Sequence, residues 1–203
     1  MRILLLILLI CLPAVADGKF VLDLQPPRRQ RDLLVELFLK SYLERSQLPE
    51  IVQHLNDTFI LPRDVPITLT DVNIINAWYS PGDHSVTFTY DFLEFLCNDA
   101  LKERKSGREA GEFLWGAMTF VLLHEVGHAL IGELDLPVVG REEDAADEFA
   151  VMMLLQAGEA GKRALSSASD WFSVLGSRRR EFAMWDEHSL DEQRFYNILL
   201  LLY

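Results

Sequence analysis

"VLLHEVGHALIGELDLPVVGREEDAADEFA", Val121 to Ala150, sets two histidines around a glutamate and follows them with a run of acids. His124 and His128 are four residues apart. On a helix they share one face, with Cβ atoms about 5–6 Å apart. Two imidazoles so placed can share one Zn²⁺ at about 2.0–2.1 Å from each nitrogen. Glu125 is angled away from the ligand position but can reach water bound there and take its proton as a general base. Leu122, Leu123, Val126, Gly127, Ala129 and Leu130 are uncharged. Two histidines and a glutamate in so apolar a helix are costly without a partner.

A catalytic zinc takes a third protein ligand and keeps one position open. No third histidine follows closely, so the candidates are Glu133, Asp135, Glu142, Glu143, Asp144, Asp147 and Glu148. Helix phase separates them. Glu143, Asp147, Ala150 and Leu154 form one i, i+4 series, beside Ala146, Phe149 and Met153, on the inward stripe. Asp144 and Glu148 fall on the adjacent, more exposed series. Glu143 is therefore the expected third ligand. Asp147, one turn later, is placed to accept a hydrogen bond from the far nitrogen of a zinc-bound histidine, fixing its tautomer and orientation. Ala145 and Ala146 are small enough to let the two helices approach closely.

The pattern His124-Glu125-Val126-Gly127-His128 followed by Glu143-Asp144-Ala145-Ala146-Asp147 resembles the gluzincin metallopeptidases. More closely, the chain is similar to a bacterial family described as "putative metallopeptidases". Three stretches carry the resemblance: "NAWYSP" at Asn76–Pro81, "LLHEVGHALIGELDLPVVGREEDAADEFA", and "DEHSLDEQRFYNI" at Asp186–Ile198. With "LPRDVPI" before them, it covers roughly Leu48 to the C-terminus. The resemblance implies a zincin-like domain, a zinc ion on His124, His128 and Glu143, and Glu125 as general base. It does not imply a particular substrate.

Hydrolysis through a tetrahedral intermediate needs a donor for the developing oxyanion. His188 is the candidate oxyanion or proton donor, with Arg194, Tyr196 and Tyr79 as alternatives. Against that, His188 and Arg194 could instead pair with Asp186 and Asp191 and hold the last helix down. His54 and His84 read as surface or strand residues without a role.

Around this site the chain reads as α+β and mainly helical. "RDLLVELFLKSYLERS" and "EIVQHLNDTF" have helical spacing. "PITLTD" and "HSVTFTYD" alternate as half-buried strands do, with "YSPGD" as a turn. These predict a small antiparallel sheet beside the central helix, and "HSVTFTY" as an edge along which an extended peptide could add as a strand. Asp91 with Glu94, and Ser106 with Glu109, resemble helix-capping pairs. The second would open a long helix to about Gly132, apolar all round and so central. A further helix is expected from Glu142 to Ala157, and a last one after Ser189.

At the N-terminus, "MRILLLILLICLPAVADG" has a short apolar run, Pro13 and a small-x-small site at Ala14-Val15-Ala16. Residues 1–16 are expected to be a signal peptide, 17–27 an exposed lead-in and 28–203 one domain. The protein would then be exported, periplasmic or secreted, with no stable membrane span after cleavage, since the run falls short of about 20 apolar residues. Only Cys97 would remain, in apolar surroundings that favour a buried, inert thiol. The net charge of −12 disfavours nucleic acid as a partner. The expected function is a zinc-dependent metallopeptidase acting on a peptide or protein. The alternative is a non-catalytic, zinc-stabilised binding or inhibitory protein that keeps the fold.

Overall fold

The computed structural model describes residues 17–31, 33–44, 47–103 and 107–177. Residues 1–16, expected as a signal peptide, Arg178–Arg180 and the stretch carrying His188, Arg194 and Tyr196 lie outside the described residues.

Four strands, β1 (Phe20–Leu24), β2 (Val65–Thr70), β3 (Ala77–Ser80) and β4 (Ser85–Thr89), form one sheet in the order β1-β2-β4-β3. The described residues also form six helices, α1 (Leu33–Glu44), α2 (Gln47–Thr58), α3 (Tyr90–Glu103), α4 (Gly107–Glu133), α5 (Glu142–Gln156) and α6 (Gly158–Ser177). The chain is thus α+β and mainly helical, as its periodicity predicts. The sheet, however, is mixed and not antiparallel. β1 pairs with β2 and β2 with β4 in parallel, and only the β3–β4 hairpin is antiparallel. The α1–α2 crossover brings β2 back beside β1 in the same direction, which a two-residue turn could not do.

The exposed lead-in expected over 17–27 is also corrected. Phe20–Leu24 is a strand in register with Val65–Leu69, and Phe20 is only 2% exposed. Asn56 of α2 brackets its start: Oδ1 accepts from the Phe20 N–H at 2.8 Å, and Nδ2 donates to the Phe20 carbonyl at 3.0 Å. β1 is paired on one side only and half of it is solvated. Its alternation is therefore weak.

β2 keeps the expected alternation, burying Val65, Ile67 and Leu69. β4 is interior, paired on both sides, so it offers no edge to a peptide. The edge beside α4 is β3. The cap of α3 also differs from the expected Asp91–Glu94 pair. Thr89 Oγ1 accepts from the Phe92 N–H at 3.1 Å. Asp91 and Glu94 turn instead to Arg31, and with Asp71 they enclose its buried guanidinium.

α4 is the axis of the fold. It is long and apolar enough to cross a membrane, but 83% of that stretch is buried in the protein. α6, which the sequence reading did not anticipate, packs along its first half. A Cβ at Gly116 would lie 2.8 Å from the Ala164 carbonyl oxygen of α6. A Cβ at Gly127 would lie 3.0 Å from Cα of Ala146 in α5, and one at Gly132 would lie 2.9 Å from the Tyr79 ring of β3. Glycine at these points brings three neighbours against one helix.

Candidate metal centre

His124 and His128 project from α4 toward α5, as their spacing requires. Their rings meet edge to face with centroids 4.7 Å apart. Glu143, in the first turn of α5, reaches both: its Oε2 lies 3.4 Å from His124 Nε2, and its Oε1 lies 3.3 Å from His128 Nε2. The two Nε2 atoms are 3.1 Å apart. One ligand atom from each of the three residues falls within a 4.8 Å cluster.

These spacings can be tested against a metal. Bonds of about 2.0–2.1 Å in a tetrahedron place neighbouring ligand atoms about 3.3–3.4 Å apart. The separation between the two nitrogens falls just below that edge, and each nitrogen faces a different oxygen of Glu143 at about that distance. The far nitrogens are oriented as well. His124 Nδ1 lies 2.8 Å from Asp147 Oδ1, and His128 Nδ1 lies 2.7 Å from Glu142 Oε1. Carboxylates there hold the proton on Nδ1 and turn both Nε2 lone pairs toward Glu143. Two lone pairs and a carboxylate converging on one point call for a cation, so the residues fit a zinc ion.

Electrostatics point the same way. Burial pulls the His128 imidazolium down, but the Glu143 and Glu142 carboxylates outweigh it and the group is pushed up to about 9. Without a metal, a proton takes the place of the positive charge. Glu142 was among the acids weighed for third ligand, and its grip on His128 was not foreseen. Its signal was its position, one residue before Glu143 and facing the other histidine.

Glu125 is 2% exposed. Its Oε2 accepts the backbone N–H of Tyr79 at 3.0 Å, across the free edge of β3. The general-base candidate is therefore held against the edge strand. Tyr79, a candidate oxyanion donor, gives its hydroxyl to Glu133 at 2.8 Å. Burial and the Glu133 carboxylate hold that phenol well above its usual range. His84, read as having no role, also contacts Glu133, with Nδ1 at 2.7 Å. His54 sits on α2 and its carbonyl accepts the Thr58 hydroxyl at 2.7 Å. Among the other acids, Glu148 is exposed and Asp147 is buried, as helix phase predicts.

The family model described as "Putative metallopeptidase" matches residues 25–203. The chain belongs to this family. That description agrees with a peptidase that carries a metal ion and takes a peptide or protein as substrate. No curated protein and no solved structure matches the chain. The match takes in both walls of the candidate metal site, the β3 edge and the segment containing His188.

Proposed function

We propose that the chain is a zinc-dependent, gluzincin-type metallopeptidase, exported to the periplasm or secreted. The single observation that carries the reading is the convergence of His124 Nε2, His128 Nε2 and the Glu143 carboxylate, with one ligand atom from each residue within 4.8 Å of the others. A zinc ion held by these residues supplies a Lewis acid that acidifies water and polarises a carbonyl. Glu125 takes the proton of the attacking water and delivers it to the leaving amine. The Tyr79 N–H fixes that carboxylate, so it enters the reaction without searching rotamers. Asp147 and Glu142 hold the two imidazoles by their Nδ1 atoms and keep Nε2 facing inward. The substrate is a peptide approaching the metal residues beside β3. His188 remains our candidate for the oxyanion or proton donor, since Tyr79 has its hydroxyl on Glu133.

The test is Glu125→Gln in the zinc-loaded protein. It should retain one metal ion by elemental analysis and lose hydrolysis of a peptide pool by at least about a hundredfold. Equal hydrolysis by variant and wild type would overturn the mechanism. Bound zinc with no turnover by the wild type would favour the non-catalytic, zinc-stabilised binding protein.

A further inference from the structure

Glu133 stands apart from the metal centre and is unusual. Its side chain is 1% exposed. It lies at the C-terminal end of α4, where the helix dipole and burial both disfavour a carboxylate. Three donors compensate: the Tyr79 hydroxyl at 2.8 Å, His84 Nδ1 at 2.7 Å and Arg63 Nε at 3.3 Å. Arg63 Nη1 lies 3.0 Å from His84 Nε2. One proton arrangement satisfies every contact: His84 donates from Nδ1 to Glu133 and accepts from Arg63 on Nε2.

Fastening β3 to α4 does not require this charge. A well-packed apolar pair of the same volume would do so at least as well. What the carboxylate adds is a fixed orientation for the Arg63 guanidinium at the surface, 54% exposed, through direct contact and through His84. His84 adds a second, independent observation. Its φ of +53° is in the left-handed region, where a side chain is strained and glycine or asparagine is preferred. The turn tolerates that strain and retains an imidazole.

Position supplies the rest. Tyr79 touches Glu125 with its backbone N–H and Glu133 with its hydroxyl. The two acids are eight residues apart on α4, about 12 Å along the axis. An extended peptide covers that distance in about three or four residues. In a chain of net charge −12, an anchored, exposed arginine beside β3 is where an anion can approach against the general repulsion.

We propose that Arg63, held in place by His84 and Glu133, forms a subsite for a carboxylate of the substrate, three or four residues from the scissile bond. The carboxylate is either an acidic side chain or the peptide C-terminus. The assignment rests on the metallopeptidase reading, so its test includes binding as well as turnover. Three pools of short N-acetylated random peptides serve as probes. The first carries one glutamate and an amidated end, the second glutamine in its place, and the third glutamine with a free C-terminus. Binding to zinc-loaded Glu125→Gln is measured by calorimetry. Cleavage by the wild type is scored separately and reports on the metallopeptidase reading alone.

A carboxylate pool should bind about tenfold more tightly than the neutral pool, the effect of one charge-assisted contact. Adding Arg63→Gln should abolish that difference while leaving binding of the neutral pool unchanged, with at most a small drop in melting temperature because Tyr79 and His84 still donate to Glu133. Arg63→Lys should restore part of it. Glu133→Gln, of equal volume, should abolish it by releasing both side chains. Preference for the first pool assigns an acidic residue, and preference for the third assigns the terminus. No preference in the parent, no detectable binding of any pool, or an equal loss on all pools in Arg63→Gln would each overturn the proposal.

Discussion

Asp147 Oδ1 lies 2.8 Å from Nδ1 of His124, and both side chains are buried where α5 meets α4. The pair orients the imidazole and also removes a buried donor and a buried charge from their most costly states. Asp147→Ala should therefore weaken zinc binding by about 10–100-fold. Competition against a chelator of known affinity reads the change directly. Zinc affinity equal to wild type would show that the carboxylate does not orient His124.

Gly127 faces Ala146 across the same helix pair, and a Cβ there would come within 3.0 Å of the Ala146 Cα. Gly111, on the same helix, has open space around its Cβ position. The two substitutions to alanine should have opposite signs. Gly111→Ala should stabilise by up to about 1 kcal/mol through helix propensity. Gly127→Ala should destabilise by about 1–3 kcal/mol through overpacking, and should lower zinc affinity because α5 carries Glu143 and Asp147. Denaturant melts with and without zinc separate the two effects.

The metal-free His128 group, pushed up to about 9 from an ordinary 6.5, makes zinc and proton competitors. Because the folded value is raised, its contribution to stability is fully present below about 6.5 and is lost as pH rises through about 9. Zinc needs the neutral ring. Apparent zinc affinity should rise about tenfold per pH unit up to that value and then level off. Calorimetry in two buffers of different ionisation enthalpy should find about one proton released per zinc near pH 7. No proton release would contradict the coupling.

Asp71 carries the opposite sign. The Arg29 guanidinium, helped by the backbone N–H groups of Arg28 and Arg29 and by Arg31, holds its carboxyl far below the usual range against the opposing effect of burial. Its contribution is present above its unfolded value of 3.8 and is lost as pH falls below that. Asp71→Asn should thus lower the melting temperature at pH 7, and the gap from wild type should narrow in acid. A gap that stays constant from pH 7 into strong acid would mean the aspartate acts through packing alone.

The metal cluster was legible because both of its walls are helices. A period of 3.6 residues translates spacing into direction, so His124, His128, Glu143 and Asp147 could be aimed from sequence alone. The sheet was less legible. Alternation in "PITLTD" reports which side chains are buried, not which way the neighbouring strand runs. Parallel pairing of β1 with β2 depends on contacts 45 residues apart in sequence, such as Phe20 with Val65. The Glu133 cluster was hidden for a related reason. Arg63, the hairpin residues Tyr79 and His84, and Glu133 come from three separate segments, and no local pattern links them. Ala164, Leu165, Ala168, Trp171 and Phe172 in α6 are all buried and do follow helical spacing. That signal was present and was passed over in favour of the more conspicuous helix before it.

The loop between α4 and α5 has a consequence for how the chain is held together. Val139 at its tip is fully exposed, and Leu136 is 47% exposed. His128 and Glu143, on either side, are fifteen residues apart in sequence. An ion gripped by both closes that stretch into a ring, as a disulfide of the same span would, restricting the unfolded chain by an amount on the order of 3 kcal/mol. In a protein expected to leave the cytoplasm with a single cysteine, the metal would serve as the staple that sulfur supplies elsewhere. The loop itself could then be lengthened, or even cut, without parting the two helices.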